Sequence, residues 1–328
     1  DLLRTHAPDD AITGPRPDPD ADPLDDDDLH LSLYLCIALG THGIDGVDEG
    51  WEWAPSLVAV RRDLERRFEG ALRERVPIAR LAPQDVPSWL VGRSRQGEGR
   101  LSRFLAREAT LDQFREFVVH RSIYTRHEAD PHTLVIPRLQ GAAKAALVEI
   151  QADEYGGGTL ARMHAEIFGA TMTELGLDPR PDAYVDAVPA STLATVNLVW
   201  MMGNQRRLRG AAVGHLALFE LTSAVPNRAY GNGLRRLGLD GRATDYYDEH
   251  VEADSVHDMI AAYDLAGALA REEPGQVPQI VFGAGALDLL EDRFGTALLA
   301  AWHEGGSSLR VPLPRADASG DAQEAVAV

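Results

Sequence analysis

Helical periodicity runs through almost the whole chain of 328 residues, and it limits the possible folds more than any other feature. Apolar residues recur every three or four positions, whereas the alternation that is typical of strands is almost absent. We therefore expect one all-α domain, in which Pro226 ends a helix. Helices are predicted over residues 29–39, 57–76, 110–126, 139–175 with a break at 156–158, 191–202, 209–222, 244–271 and 287–302.

Both ends of the chain are acidic and unsuited to forming a core. Residues 1–28 contain ten Asp and two Arg, which gives a net charge of −8, whereas the whole chain carries −19. The last residues contain proline and more acidic side chains. We expect a disordered acidic tail over residues 1–28, a helical domain over residues 29–305 and a mostly disordered tail over residues 306–328.

Charge and cysteine content exclude several classes of protein. The chain has no basic patch to neutralise phosphates, so no nucleic-acid partner is expected. No apolar run is long enough to cross a bilayer, and the acidic N-terminal segment does not resemble an export signal. The single cysteine, Cys36, excludes an internal disulfide and suits a reducing compartment. These features predict a cytoplasmic protein without a membrane partner.

Residues 279–285 are the one segment that resembles a strand followed by Gly-x-Gly and a helix, as in dinucleotide-binding folds. The position of the third glycine is Asp288, and no alternation of strands and helices accompanies the motif. We therefore favour a glycine-containing contact between helices over a nucleotide site.

The spacing of His250, Asp254 and His257 indicates a metal site. On a helix these residues occupy positions i, i+4 and i+7, which lie on one face. Two imidazoles and a carboxylate form a ligand set for a divalent transition metal. A solvated polar stripe is the alternative, but apolar neighbours such as Val256 and Ile260 indicate that the face lies near a core.

Glu220 is the only Asp, Glu, Lys or Arg between Arg209 and Arg228, within a stretch of mostly small and apolar residues. Burying a carboxylate there is costly unless it is paired or binds a cation. A salt bridge to an arginine such as Arg228 is one interpretation. We favour the other, in which Glu220 is a metal ligand.

A third candidate segment contains Glu154, three successive glycines and His164. Glycine inside a helix costs roughly 1 kcal/mol relative to alanine, so a local demand must offset the triplet. A regular helix would place Glu154 and His164 about 80° and about 15 Å apart. Both can reach one site only if the glycines break the helix, or if they bind opposite ends of a two-metal centre.

Together these segments supply three carboxylates and three histidines. Such a set fits a dinuclear iron or manganese centre better than a zinc hydrolase site, which usually has three protein ligands. The paired Glu-x-x-His motifs of ferritin-like di-iron proteins are absent from the sequence.

The order of these residues resembles the ligand pattern of the haem-oxygenase-like di-iron oxidases and oxygenases. More narrowly, residues 152–158 and 248–254 resemble the group known as iron-containing redox enzymes, and the resemblance covers about residues 29–305. It implies a haem-oxygenase-like bundle without haem, with about seven core helices plus extra N-terminal helices. It also implies two Fe(II) ions, with Mn as an alternative in one site, and dioxygen as co-substrate. The metal ligands that the resemblance implies are Glu154, His164, Glu220, His250, Asp254 and His257.

The resemblance further implies oxidation of a small organic substrate of amine, amino-acid or fatty-acid type, in specialised metabolism. The outcome would be N-oxygenation, carbon–carbon cleavage or decarboxylation, and an external electron donor and a homodimer are compatible with it. An additional carboxylate of some members would fall on Ala161, which weakens the analogy with N-oxygenases. Tyr155, Tyr246 and Tyr247 are candidates for lining the substrate pocket.

Two other functions remain open at this point. The chain could be a cofactor-independent helical enzyme, similar to thiaminases, in which Cys36 or a carboxylate reacts. It could also be a non-enzymatic helical module that binds a metal or an apolar ligand.

Overall fold

A computed structural model describes residues 2–10, 12, 21–94 and 99–313, with the backbone alone at residues 2 and 252–256. Over these residues the protein consists of helices and connecting turns and contains no strand, which confirms the predicted all-α class. Besides the four-residue helices Leu2–Thr5 and Asp130–Thr133, the described residues form twelve α-helices: α1 (Asp27–Leu39), α2 (Pro55–Arg75), α3 (Val86–Ser94), α4 (Arg100–Arg107), α5 (Leu111–Thr125), α6 (Gly141–Glu154), α7 (His164–Glu174), α8 (Ala190–Asn204), α9 (Arg209–Arg236), α10 (Asp245–Met259), α11 (Gly267–Glu272) and α12 (Val277–His303).

Helix α9 lies at the centre of the bundle and packs along α12 on one side and α10 on the other. Its contact with α12 is close because glycines face the opposing backbone. A Cβ atom on Gly214 would overlap the carbonyl oxygen of Ile280, and one on Gly283 would overlap the carbonyl oxygen of Ala211. Gly283 therefore serves helix packing, as the sequence predicts, and residues 279–285 lie inside α12 rather than in a strand.

The prediction that Pro226 ends a helix is wrong, because α9 continues through it to Arg236. Proline removes one backbone hydrogen bond and crowds the preceding turn. The flanking parts of α9 are packed against α10 and α12, and this tertiary contact outweighs the local cost. The hydroxyl of Thr222 donates to the carbonyl oxygen of Leu218 at 2.7 Å, which adds a bond just before the proline.

The stretch 139–175 forms two helices, α6 and α7, in agreement with the break predicted at the glycine triplet, and the 3-10 turns between them extend to Arg162. The last helix begins at Val277, ten residues earlier than predicted, because the strand-like stretch 279–285 with its glycines is accommodated inside it. Helix α10 is followed by the π-helix Ile260–Ala266, whose wider turn leads into α11.

Residues outside the expected 29–305 domain also pack on the bundle. Leu24 and Leu309 are buried, and the backbone N–H of Arg310 donates to the carbonyl oxygen of Ala187 at 2.8 Å. Asp26 caps α1, since its side chain accepts a hydrogen bond from the backbone of Leu29 at 2.9 Å. Among the described helices, none combines the length and the apolar character that a membrane span requires.

Candidate metal centre

The glycine triplet brings Glu154 and His164 together. Gly156, Gly157 and Gly158 have φ angles of 60°, 58° and 80°, in the left-handed region that favours glycine. A Cβ atom on Gly156 would also lie 2.5 Å from the carbonyl carbon of Arg162, so the turn is closed tightly. Helix α6 ends at Glu154 and α7 begins at His164, which leaves His164 Nδ1 2.9 Å from Glu154 Oε2.

A first group of four buried side chains surrounds this contact: Glu128, Glu154, His164 and His250 each place one ligand atom within 4.8 Å of the others. His250 Nδ1 lies 2.8 Å from the carbonyl oxygen of Tyr246 and therefore carries the proton that it donates there. The Nε2 lone pair of His250 is then directed into the group, 3.9 Å from Glu128 Oε2. The backbone of α10 thus fixes the tautomer that a metal ligand needs.

A second buried group consists of Glu154, Glu220 and His257, whose ligand atoms also lie within 4.8 Å of one another. His257 Nδ1 is 3.7 Å from Glu220 Oε2. On the other side of the ring, His257 Nε2 lies 2.8 Å from Asp153 Oδ2, a carboxylate that can only accept the proton. Asp153 therefore leaves Nδ1 of His257 unprotonated and directed toward Glu220.

Glu154 belongs to both groups, so the two groups are adjacent. Glu154 Oε2, His164 Nδ1 and His257 Nδ1 are buried and make no hydrogen bond, although the first two atoms face each other. A cavity of about 10 Å³ lies among Glu128, Glu154, Glu220 and His250. Buried carboxylate and imidazole atoms that converge on a small space are a suitable ligand set for metal ions.

The protonation states of the first group suit ligation. Burial alone would raise the pKa of the Glu154 carboxyl, but the nearby imidazoles, above all His164, lower it overall. Burial likewise lowers the pKa of His164, but Glu154 and Glu128 outweigh it and raise the value to about 9. Burial lowers the pKa of His250 to about 4, so this ring is neutral at neutral pH. Without a cation, His164 would carry the compensating charge, and a metal ion would replace that proton.

A cavity of about 330 Å³ adjoins the first group, and its lining includes Glu128, His250, Tyr246 and Tyr247. The hydroxyl of Tyr246 lies 2.8 Å from Glu128 Oε2 and donates to this carboxylate. Tyr155, in contrast, is not among the lining residues, because its hydroxyl donates to Asp130 Oδ1 at 2.7 Å on another side of α6.

An ion pair lies in the wall of this cavity. Arg121 donates two hydrogen bonds to Glu291, one of 2.8 Å to Oε1 and one of 2.6 Å to Oε2. This bidentate geometry neutralises both charges. The wall also contains the aromatic residues Phe117, Phe168 and Phe219 and the charged residues Arg100, Asp288 and Asp292.

The structure brings together five of the six side chains that the sequence singled out, namely Glu154, His164, Glu220, His250 and His257. Asp254 lies on α10 between the two histidines, but its side chain is outside the described residues. Glu128 was missed, because it follows α5 in a polar turn where nothing in the local spacing marks it. It adds a carboxylate to the first group, whereas Ala161 is exposed and outside the site.

A profile of the iron-containing redox enzyme family matches residues 115–292, which is more than half of the chain and spans both ligand groups. The chain belongs to this family. The resemblance inferred from the sequence is therefore confirmed, and this family member is an oxidoreductase of the iron-containing class.

Two similar proteins illustrate how far the likeness extends. The nitrosourea synthase of Streptomyces achromogenes subsp. streptozoticus is 27% identical over 157 residues, which cover 48% of this chain and 33% of that protein. The chain thus matches about a third of its relative's length. A domain of unknown function with a heme oxygenase-like fold from Shewanella denitrificans OS217 aligns with 68% of this chain and 94% of its own, at 13% identity and a TM-score of 0.49.

The alternative in which Cys36 acts as a nucleophile does not fit this family member. Cys36 is buried in α1, and burial raises the pKa of its thiol to about 12. The thiol is therefore protonated at neutral pH, and a thiol is a much weaker nucleophile than a thiolate. Cys36 is also absent from the residues that line the 330 Å³ cavity.

Proposed function

We propose that this iron-containing redox enzyme is a non-haem di-iron oxidase or oxygenase that uses dioxygen to oxidise a small organic molecule. The observation that carries the proposal is the position of Glu154, which belongs to two adjacent buried groups of ligand-type side chains. A carboxylate can bridge two metal ions through its two oxygens, and this arrangement is typical of dinuclear iron sites.

In the proposed centre, Glu128, Glu154, His164 and His250 would hold one ion. Glu154, Glu220 and His257 would hold the other, and Asp254 would be a further ligand. Carboxylates and imidazoles in this ratio suit iron or manganese, so Mn in one site is compatible with the ligand set. Two Fe(II) ions bound there would supply the electrons for reductive activation of dioxygen.

The protein's own contribution is to fix the ligands and exclude water. Asp153 and the carbonyl oxygen of Tyr246 set the tautomers of His257 and His250. The hydroxyl of Tyr246 orients Glu128. The six of these side chains that the structure describes are buried, and Glu154 is the most exposed of the six at 9%. A substrate in the 330 Å³ cavity would therefore react in a site from which bulk water is largely removed.

Oxygenation at a nitrogen atom is the outcome that we propose for the substrate. The relative from Streptomyces is named for the synthesis of a nitrosourea, a product with a nitrogen–oxygen bond. Glu128 supports this outcome, because it offers the first group a further carboxylate although Ala161 does not. The cavity is large enough for a small amine or amino-acid derivative.

Anaerobic reconstitution tests the metal centre. The purified chain is loaded with Fe(II), the iron content is measured, and dioxygen is then added while the visible spectrum is recorded. We expect at least two Fe per chain and a transient absorption that depends on dioxygen. His257→Ala should lose iron and the transient, whereas His303→Ala, at the exposed end of α12, should keep both. Fewer than one iron per chain, together with no spectral change, would rule the proposal out.

A further inference from the structure

Three other side chains with metal-ligand chemistry meet outside the buried centre. His42 lies in the loop after α1, His127 follows α5, and Asp182 lies between α7 and α8. None of them belongs to the two groups around Glu154. One ligand atom from each lies within 4.8 Å of the others, so residues far apart in the chain converge on one point.

The contacts within this cluster are made by the Nε2 atoms of both rings. His42 Nε2 lies 2.6 Å from Asp182 Oδ2, and His127 Nε2 lies 3.5 Å from Asp182 Oδ1. The two imidazoles stack with their centroids 4.4 Å apart. Both rings therefore turn the same nitrogen toward the same carboxylate.

The outer atoms of these side chains have partners of their own. His42 Nδ1 lies 3.1 Å from the hydroxyl of Thr41, and His127 Nδ1 lies 3.5 Å from Asp130 Oδ2. The hydroxyl of Tyr34 donates to Asp182 Oδ1. Partners on the outer nitrogens orient histidines in metal sites and direct the other nitrogen at the ion.

Two further observations point to a ligand rather than to an ion-pair network alone. His127 is 8% exposed, and its Nε2 atom is buried without a hydrogen bond. Asp182 has a φ of 60°, the one positive φ among the described residues other than glycine. This conformation is unfavourable for a residue with a Cβ atom, and it is the backbone turn that presents the carboxylate to both rings.

We propose that His42, His127 and Asp182 form a mononuclear site for a divalent first-row transition metal ion such as zinc or ferrous iron. Two imidazole nitrogens and one carboxylate oxygen, with open positions toward solvent at His42, are a ligand set of this class. An ion held by the three side chains would give His127 Nε2 the partner that the contact with Asp182 at 3.5 Å does not supply.

The site would join three loops that the sequence keeps far apart. His127 directly precedes Glu128, and Asp130 also accepts the hydroxyl of Tyr155, which directly follows Glu154. An ion bound at this cluster therefore fixes the backbone next to two side chains of the buried centre. Binding of an ion to the folded chain alone also stabilises that fold.

Metal counting on the full-length protein tests the site. Apo protein is titrated with Co(II), and the bound ion per chain is measured for the unaltered protein, His42→Ala, Asp182→Asn and the control His303→Ala. We expect His42→Ala and Asp182→Asn to bind one Co(II) fewer than the unaltered protein, and His303→Ala to bind the same number. The rise in Tm on adding Co(II) should also be smaller in the first two variants.

The difference between variants is independent of the buried centre. If the buried centre binds two ions, we expect three Co(II) per chain in the unaltered protein and two in His42→Ala or Asp182→Asn. If the buried centre binds none, we expect one and zero, so the difference of one ion remains. Equal counts in the unaltered protein and in a folded His42→Ala variant would overturn the proposal. Anomalous diffraction from cobalt-soaked crystals of the unaltered protein decides the question even if both variants unfold, because a peak must then lie about 2.1 Å from His42 Nε2.

Discussion

Glu154 Oε2 and His164 Nδ1 lie 2.9 Å apart, although ten residues separate them in the chain. In an uninterrupted helix the same residues would be about 15 Å apart. The geometry of the candidate centre therefore depends on a backbone turn that only glycines adopt easily, and the energetic cost of that turn is offset elsewhere in the fold.

Replacing Gly156 tests this dependence. In Gly156→Ala, the new Cβ atom would meet the carbonyl group of Arg162 at a left-handed φ, so we expect a loss of about 2 to 3 kcal/mol in unfolding free energy and reduced iron binding. Gly157→Ala is the matched control, since it has a similar φ of 58° but open space around it, and it should cost about 1 kcal/mol. If both variants lowered the unfolding free energy equally in urea, the close contact between Gly156 and the backbone of Arg162 would not be what requires glycine there.

The shared position of Glu154 leads to a prediction about metal stoichiometry. Glu154→Gln should lower the affinity for both ions by at least about tenfold, whereas Glu220→Gln should lower the affinity for one ion. The reason is that only Glu154 belongs to both groups. Iron content after dialysis against a weak chelator measures the difference. Glu149→Gln, exposed on the same helix, should bind iron as the unaltered protein does. Retention of two tightly bound ions by Glu154→Gln would show that the carboxylate does not bridge.

Asp153 is expected to act through His257. Asp153→Asn removes the negative charge that accepts the hydrogen bond from His257 Nε2. The proton of the ring is then no longer held on Nε2. Loss of such an outer partner typically lowers metal affinity by about 10- to 100-fold. Competitive titration with a chelator measures this affinity, and Asp153→Glu should recover part of it. No change in affinity with Asp153→Asn would mean that Asp153 does not orient the ligand.

The contact between α9 and α12 leads to a stability prediction. Gly283→Ala would drive a Cβ atom into the backbone of Ala211, so we expect a loss of about 3 kcal/mol or more, because neither helix can move without disturbing the core. Gly92→Ala, which has open space in α3, should be neutral or stabilising by up to about 1 kcal/mol. Thermal unfolding of both variants checks the prediction, and a Gly283→Ala protein as stable as Gly92→Ala would refute it.

Buried His30 makes stability depend on pH. Burial lowers its pKa in the folded protein from 6.5 to about 4. The unfolded chain therefore binds the proton more strongly, so the contribution of His30 to stability is full above pH 6.5 and falls as pH decreases from 6.5 toward 4. Between pH 7 and pH 5 the loss is about 2 kcal/mol. Urea unfolding at both pH values should show a smaller decrease in unfolding free energy for His30→Gln than for the unaltered protein. Identical decreases in the two proteins would contradict the prediction.

The sequence predicts those parts of the fold that depend on local patterns. Periodicity indicates the helical class, and the spacing of His250 and His257 places both rings on one face of α10. Glu128 and Asp153 could not be identified in this way, because each joins the centre through the packing of a separate segment. The passage of α9 through Pro226 depends likewise on contacts with α10 and α12, which local propensity does not contain.

The 330 Å³ cavity touches the two groups unequally. Among the described residues, its lining contains Glu128 and His250 but neither Glu220 nor His257. In the proposed centre, the first group would therefore face a molecule bound in the cavity, whereas Glu220 and His257 of the second group would not contact it. A substrate would meet one ion directly and the other only across Glu154, so the two metals would have different tasks despite their similar ligands.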